Sequence, residues 1–195
     1  GLRAKVMSWG AVLQDLRLEG HGAPLVLGFE TFEHYPAHSP HFGAVPGRFA
    51  NRIRDGRFIL EGERFQVDQN QDGKHTLHGG RQGYSKVNWR IAGHGDDFVT
   101  LALTSPDGDM GFPGNLEARC TYRLKPTGTL SIEYSATTDR PTPGGSIAQH
   151  FGSLKDPRVV GRCAHDLLDV LTITFLAVIA SLLLMTLPPM IGGYR

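Results

Sequence analysis

Apolar and polar residues alternate with period two through most of residues 11–137, and Gly, Asp, Asn and Pro interrupt the alternation. Alternation of this kind is typical of β-strands with one buried face, and the interrupting residues are typical of turns. No amphipathic helical pattern separates the strands. The pattern therefore predicts an all-β domain, an antiparallel β-sandwich or barrel.

The clearest hairpin lies late in this region. One strand is predicted over 116–124 and a second over 130–136, with the turn between them at 125–128. We expect both strands to bury the face formed by their even-numbered residues, which are apolar. Two further hairpins are predicted. One covers residues 87–103 and has its turn at Gly93-His94-Gly95-Asp96, and the other covers 57–67 and turns around Glu61-Gly62.

The pattern changes abruptly after Pro143. A polar stretch leads into residues 170–187. These 18 residues carry no charge, and Pro188-Pro189 follows them. This length is near the lower limit for crossing a bilayer, so a C-terminal apolar helix is predicted, either buried or spanning a membrane. Thr172, Thr174 and other hydroxyl residues weigh against contact with lipid.

Composition excludes several classes of protein. The 195 residues carry 20 Lys and Arg against 19 Asp and Glu, a formal net charge of +1, so a nucleic-acid partner bound by bulk charge is not expected. Hydrophobic residues make up 40%, as in globular domains, and 25 Gly with 12 Pro fit many turns between short strands. With only Cys120 and Cys163, the core must be hydrophobic and not held by disulfides.

Two polar clusters lie in turn-like segments between predicted strands. Arg48, Asn51 and Arg52 lie among small and apolar residues, and their donors and acceptors suit a polyhydroxylated ligand. The alternative is that the arginines pair with carboxylates inside the fold. His78 precedes Gly79-Gly80, whose backbone can approach a ligand closely, and histidine exchanges protons near neutral pH. A purely structural histidine is the alternative there.

Other chemistry has little support in the sequence. The segment 105–114 is interpreted as a structured connection between two strands. There is no metal-ligand spacing and no phosphate-binding glycine loop, and the histidines are scattered. We therefore expect no metal site.

The clusters belong to an ordered series of motifs. In chain order these are Phe42-Gly43-Ala44, Gly47-Arg48, Ala50-Asn51-Arg52-Ile53, Leu77-His78-Gly79-Gly80, Ser105-Pro106-Asp107-Gly108 and Thr138-Asp139-Arg140-Pro141-Thr142-Pro143. The series resembles the aldose 1-epimerases, the galactose mutarotase family, over about residues 4–143. The resemblance implies a large antiparallel β-sandwich, in agreement with the hairpins.

The resemblance also implies an activity and a site. The family's members are isomerases that interconvert the α and β anomers of a hexose such as galactose or glucose by acid/base ring opening, without a cofactor. Asn51 and Arg52 would bind the substrate, and His78 would bind it and act catalytically, positioning or protonating the ring oxygen. The cytoplasm is the default compartment; the periplasm, or a membrane reached through 170–187, is the alternative.

The similarity stops after Pro143. The family continues with a strand that supplies the principal catalytic histidine, whereas His150 here is one residue too late and would point to the opposite face of a strand. We interpret His150 as a coincidence. The family's C-terminal glutamate base has no counterpart, so we expect a truncated and impaired enzyme.

Residues 146–181 resemble, more weakly, the N-terminal segment of insertion-sequence transposases of the DDE class. The predicted organisation is thus a partial epimerase sandwich over 1–143 and an unrelated tail over 144–195. Four alternatives remain open: a non-catalytic carbohydrate-binding sandwich, an inactive gene-fusion product, a protein tethered to a membrane, and a chain that does not fold stably because its strand edges are open.

Overall fold

The computed structural model describes residues 1–38 and 41–143. In these two stretches the chain forms ten short strands, one five-residue helix and three 3₁₀ turns. The strands are β1 (Leu2–Val6), β2 (Leu13–Leu18), β3 (Arg52–Ile53), β4 (Arg57–Leu60), β5 (Glu63–Gln66), β6 (Thr76–Leu77), β7 (Arg90–His94), β8 (Phe98–Ser105), β9 (Leu116–Lys125) and β10 (Thr129–Thr138). The tail 144–195 and its apolar segment 170–187 lie outside the described residues, as does His150, so the predictions about them stay predictions.

All strand pairs in this part of the chain are antiparallel. The largest sheet has the order β10-β9-β8-β7, and β1–β2, β3–β6 and β4–β5 form two-stranded sheets. The three predicted hairpins are confirmed as β4–β5, β7–β8 and β9–β10. The middle one differs in its turn: a register shift between Ile91 and Gly93 extends β7 to His94, because a bulge adds one residue to that strand.

The helix α1 (His34–His38) was not predicted from the sequence. Its Tyr35 is fully buried, and the Tyr35 hydroxyl accepts a hydrogen bond from the Phe29 N–H at 3.0 Å. One turn of helix is too short to show a helical period in the sequence. Across residues 1–38 and 41–143, no helix has the length and apolar character needed to span a membrane.

The larger core cluster lies on one face of β9. Leu116, Ala118, Cys120 and Tyr122 are all buried, as predicted, and they alternate with exposed or half-buried residues along this strand. The Tyr122 hydroxyl donates a hydrogen bond to the Ala11 carbonyl at 2.7 Å inside this core. The loop before β2 is thereby attached to the sheet.

The prediction for β10 is wrong on one point. Its even-numbered face is not buried in the described structure, where Ile132 is 42% and Tyr134 is 53% exposed. The strand lies at the edge of the four-stranded sheet and has one neighbour among the described strands. Alternation identifies the face that suits a core, but only packing by other elements buries it.

Arg48 connects the segments that surround this core. It is 6% exposed, and its Nε donates to the Ser105 hydroxyl at 2.9 Å. Nη2 donates to the carbonyls of Ser105 and Pro106, both at 2.8 Å. Nη1 donates to the Pro113 carbonyl at 2.8 Å and to the Thr142 hydroxyl at 3.3 Å. All five N–H donors of the guanidinium are thus engaged.

The charge of Arg48 is balanced indirectly. The Ser105 hydroxyl, which accepts from Arg48, donates in turn to the Asp109 carboxylate. Ser105 is 1% exposed, so this chain of hydrogen bonds is shielded from water. The predicted connection 105–114 is therefore a structured loop organised around a buried cation.

We predict that Arg48→Lys lowers the free energy of unfolding by about 3 kcal/mol, because an ammonium cannot satisfy five acceptors in the plane of a guanidinium and leaves buried carbonyls unpaired. Denaturant titration followed by circular dichroism measures this. Arg119→Lys, on the exposed side of β9, is the matched control and should change the free energy by less than about 0.5 kcal/mol. Equal effects of the two substitutions would contradict the structural role of Arg48.

Candidate functional site

A two-residue ladder brings the two predicted motifs together. Arg52 pairs with Leu77, and the neighbouring Ile53 pairs with Thr76, so β3 and β6 lie side by side. Just beyond the ladder, the His78 N–H donates to the Asn51 carbonyl at 2.9 Å. Asn51, Arg52 and His78, which the sequence analysis selected as site residues, are therefore neighbours in the structure.

A second hydrogen bond orients the His78 ring. The backbone N–H of Asn51 donates to His78 Nδ1 at 3.0 Å. Because Nδ1 accepts this bond, the proton of the neutral imidazole is on Nε2. One nitrogen of His78 is therefore occupied by the fold. The Nε2–H makes no hydrogen bond within residues 1–38 and 41–143 and can donate to a ligand.

Hydrogen bonds that involve side chains attach the ladder to the preceding loop. The Asn70 amide donates to the Leu77 carbonyl at 2.9 Å and accepts from the Leu77 N–H at 2.7 Å. The Thr76 hydroxyl donates to the Asp68 carbonyl at 2.7 Å. These contacts replace the strand neighbours that a two-residue strand lacks.

The packing of the protein itself requires glycine at position 79. The approach of this backbone to a ligand stays a prediction. In the structure, a Cβ on Gly79 would lie 1.6 Å from the Gly47 carbonyl oxygen, and the φ of Gly79 is +85°. The residue allows two loops of the protein to pack against each other.

Arg52 is positioned by neutral oxygen atoms. Its Nε donates to Gln71 Oε1 at 2.7 Å and its Nη1 donates to Asn51 Oδ1 at 3.2 Å. The side chain is exposed, and three of its five N–H donors make no hydrogen bond within the described residues. The alternative expectation, that these arginines pair with carboxylates, is wrong for the described contacts of both Arg48 and Arg52.

Sequence reasoning missed His41. The centroids of the His41 and His78 rings lie 4.7 Å apart with an interplanar angle of 60°. Ser85 Oγ lies 3.3 Å from His41 Nδ1 and forms a hydrogen bond with it. His41 is far from His78 in the sequence, and no local pattern marks it, so only the tertiary fold reveals the contact.

Burial and neighbouring cations keep both imidazoles neutral. Burial, reinforced by His78 and Lys86, lowers the pKa of His41 to about 4. Burial also lowers the pKa of His78, and Arg52 and Lys86 add to the effect. The pKa of Lys86 is itself lowered by burial, against the opposing influence of Asp68. At neutral pH the site thus presents uncharged imidazoles beside an arginine.

The cluster is therefore rich in hydrogen-bond donors. Within residues 1–38 and 41–143, no carboxylate is hydrogen-bonded to Asn51, Arg52, His41 or His78. No group of three or more His, Cys, Asp or Glu side chains in the same stretches is placed to hold a metal ion. Hydroxyl and carbonyl oxygens are the ligand atoms that such a donor set suits.

Comparison with known proteins gives consistent matches. A family model described as aldose 1-epimerase matches residues 1–150. The aldose 1-epimerase of Haemophilus influenzae is 40% identical over 144 residues, which cover 73% of this chain and 42% of that protein. The galactose mutarotase of Bos taurus is 39% identical over 147 residues, with the same two shares. The chain thus spans about two fifths of the length of the curated relatives it matches.

The fold comparison agrees. The crystal structure of the GalM/aldose epimerase homologue from C. elegans matches with a TM-score of 0.67 and 31% sequence identity, over 73% of this chain and 44% of that one. The antiparallel β-sandwich predicted from the hairpins and the resemblance predicted from the ordered motifs are both confirmed. The weaker resemblance of 146–181 to transposases stays a prediction.

The lowered pKa of His41 predicts a pH-dependent stability. An unfolded histidine takes up its proton near its ordinary pKa of about 6.5, but folded His41 takes it up only near 4. The unfolded state therefore binds more protons between these values, and folding stability falls as the pH drops through this window. We expect a loss of about 1–2 kcal/mol between pH 7 and pH 4, the half-buried position of His41 being taken into account.

Urea titrations at pH 7, 6, 5 and 4 measure this dependence. His41→Phe, which keeps a ring but cannot be protonated, should show a shallower loss of stability over the same range. His94→Phe replaces an exposed histidine on β7. The free energy of unfolding of this variant should change with pH as that of the native protein does. Parallel curves for the native protein and His41→Phe would contradict the assignment to His41.

Proposed function

The chain belongs to the aldose 1-epimerase family, and from this premise we propose that it binds a free hexose such as galactose or glucose through Asn51, Arg52 and His78. We propose further that these residues serve the interconversion of the α and β anomers. Curated relatives carry the names aldose 1-epimerase and galactose mutarotase. The chain covers about two fifths of those proteins, so their activity enters here as a proposal.

One observation carries this proposal. The Asn51 N–H occupies His78 Nδ1, which leaves the Nε2–H of His78 as a donor beside the exposed Arg52 guanidinium. Sugar hydroxyls and the ring oxygen accept hydrogen bonds from donors of this kind. A rigid arginine fork next to a single imidazole N–H therefore fits a polyhydroxylated ring better than an apolar or cationic ligand.

The reaction requires two proton movements. A base takes the proton from the anomeric hydroxyl, an acid delivers a proton to the ring oxygen, and the bond between C1 and the ring oxygen breaks to give the open-chain aldehyde. Rotation about C1–C2 and closure, with the proton transfers reversed, yield the other anomer. The proton count is unchanged overall, so no cofactor enters the balance.

His78 fits one part of this sequence. Its pKa is lowered, so the ring is predominantly neutral at pH 7 and its Nε2–H is a hydrogen-bond donor and not a strong acid. We propose that it positions and polarises the ring oxygen while charge develops there. Arg52 would stabilise the same developing charge or fix a neighbouring hydroxyl.

A second function is favoured by the donor-rich composition of the cluster. The described contacts of Asn51, Arg52 and His78 supply donors for binding and include no carboxylate that would act as a base. A carbohydrate-binding sandwich without catalysis needs nothing more than these donors. Sugar affinity without faster mutarotation distinguishes this function from the epimerase.

Two further expectations belong to the same proposal. The cytoplasmic location follows from the resemblance alone. The division into an epimerase part over 1–143 and an unrelated tail over 144–195 is supported by the abrupt change of composition after Pro143.

We predict that the chain binds galactose or glucose and that His78→Gln and Arg52→Lys each weaken this binding by about tenfold or more, the loss expected for one charge-assisted or well-placed hydrogen bond. Chemical-shift titration with each sugar measures the affinity, and polarimetry of fresh α-glucose measures mutarotation in the same samples. His94→Gln, on the exposed side of β7, is the matched control and should bind as the native protein does.

The outcomes separate the two functions. The epimerase is supported if the chain binds sugar and accelerates mutarotation, and if His78→Gln abolishes the acceleration. Sugar binding without acceleration supports the carbohydrate-binding sandwich. No binding of either sugar by a folded chain overturns both.

A further inference from the structure

The packing of His41 against His78 leads beyond the residues that the motifs identify. We propose that His41 is a positioning residue for His78: its ring covers the His78 imidazole and holds it against the Asn51 N–H. The role of this histidine pair in sugar binding rests on the proposed function, whereas the packing of the two rings is independent of it.

His41 is anchored on two sides. Its side chain forms a hydrogen bond with Ser85, which is 1% exposed and lies in the 3₁₀ turn Tyr84–Lys86. Its loop is attached to β2, because the Leu13 N–H donates to the Gly43 carbonyl at 2.9 Å. The His41 ring is therefore presented to His78 by elements that do not belong to the β3–β6 ladder.

The His78 ring is consequently held from two directions. The Asn51 N–H binds its Nδ1 at 3.0 Å, and the His41 ring packs against it with centroids 4.7 Å apart. One contact sets the tautomer, and the other restricts rotation of the ring and the approach of water. With both in place, Nε2–H has a defined direction.

The charged groups around His78 act in the same sense. Arg52 approaches from β3 and Lys86 from the 3₁₀ turn, and both oppose a positive charge on the imidazole. Asp68 acts on Lys86 and favours its charged form. Burial is nevertheless the largest influence on His78, and the His41 ring is part of what buries it. Removing that ring should let water reach His78 and make it easier to protonate.

The test is a pH titration of the histidine signals of the whole chain, labelled with ¹⁵N, by NMR without sugar. We expect His41→Ala to raise the pKa of His78 by about 0.5 or more toward the ordinary value of about 6.5. The Asn51 amide signal should shift as the ring loses its orientation. His41→Phe, which keeps the cover, should leave the pKa of His78 at or below its native value and keep the Nε2–H tautomer.

Each outcome decides the proposal. An unchanged His78 pKa in His41→Ala overturns it, and so does a rise of equal size in His41→Phe, which would show that cover by a ring is not what matters. Should His41→Ala not fold, His41→Asn removes the ring while keeping a polar group for Ser85, and the same criteria apply. Because no sugar is present, failure here is distinct from failure of the proposed function.

A second measurement links the pair to binding. If His41 acts only through His78, His41→Phe should retain the sugar affinity of the native protein within about twofold, whereas His41→Ala should weaken it by about fivefold. Loss of affinity in both variants, with an unchanged His78 pKa in His41→Phe, would show that His41 contacts the ligand itself and would overturn its assignment as a positioning residue.

Discussion

The buried guanidinium of Arg48 is the constraint on which the arrangement around the site depends. Its five donors bind oxygens of the 105–114 loop and of Thr142, and this fixes the backbone on either side of Arg48. Gly47 directly precedes Arg48. Its carbonyl accepts the Tyr84 N–H at 3.1 Å, and Gly79 packs against the same carbonyl. The 3₁₀ turn whose Ser85 bonds His41 and the glycine that follows His78 thus both contact the residue next to this buried cation.

The choice of oxygen partners explains why arginine occupies this place. A direct ion pair would put a carboxylate in the core and would satisfy only part of the guanidinium. Five neutral oxygens satisfy every N–H. The Asp109 carboxylate is reached only through the Ser105 hydroxyl, so the two full charges stay apart. Buried charges are tolerated when all their hydrogen bonds are made, and this loop supplies them.

Local pattern was sufficient for the hairpins and insufficient for the contacts between them. Period-two alternation predicted β9, β10 and the turn between them because strand pairing follows residues that are near in sequence. It failed for the face of β10, since burial requires an element from elsewhere in the chain. The ordered motifs led to Asn51, Arg52 and His78. They did not lead to His41, which precedes the motif Phe42-Gly43-Ala44 and packs against His78 only through the tertiary fold.

The backbone of the site shows why so much support is needed. Asn51 and His78 have φ values of +68° and +52°, a region that asparagine tolerates and histidine visits at a cost. A ladder of two residue pairs supplies few hydrogen bonds to offset this, so the Asn70 amide, the close approach of Gly79 to Gly47 and the bond between the Asn51 N–H and the His78 ring must hold the geometry. With these backbone conformations the Asn51 N–H reaches the His78 ring, while the Asn51 side chain accepts from Arg52. The conformational cost at His78 is thus coupled to the orientation of its Nε2–H, because the same local geometry brings the Asn51 N–H to Nδ1.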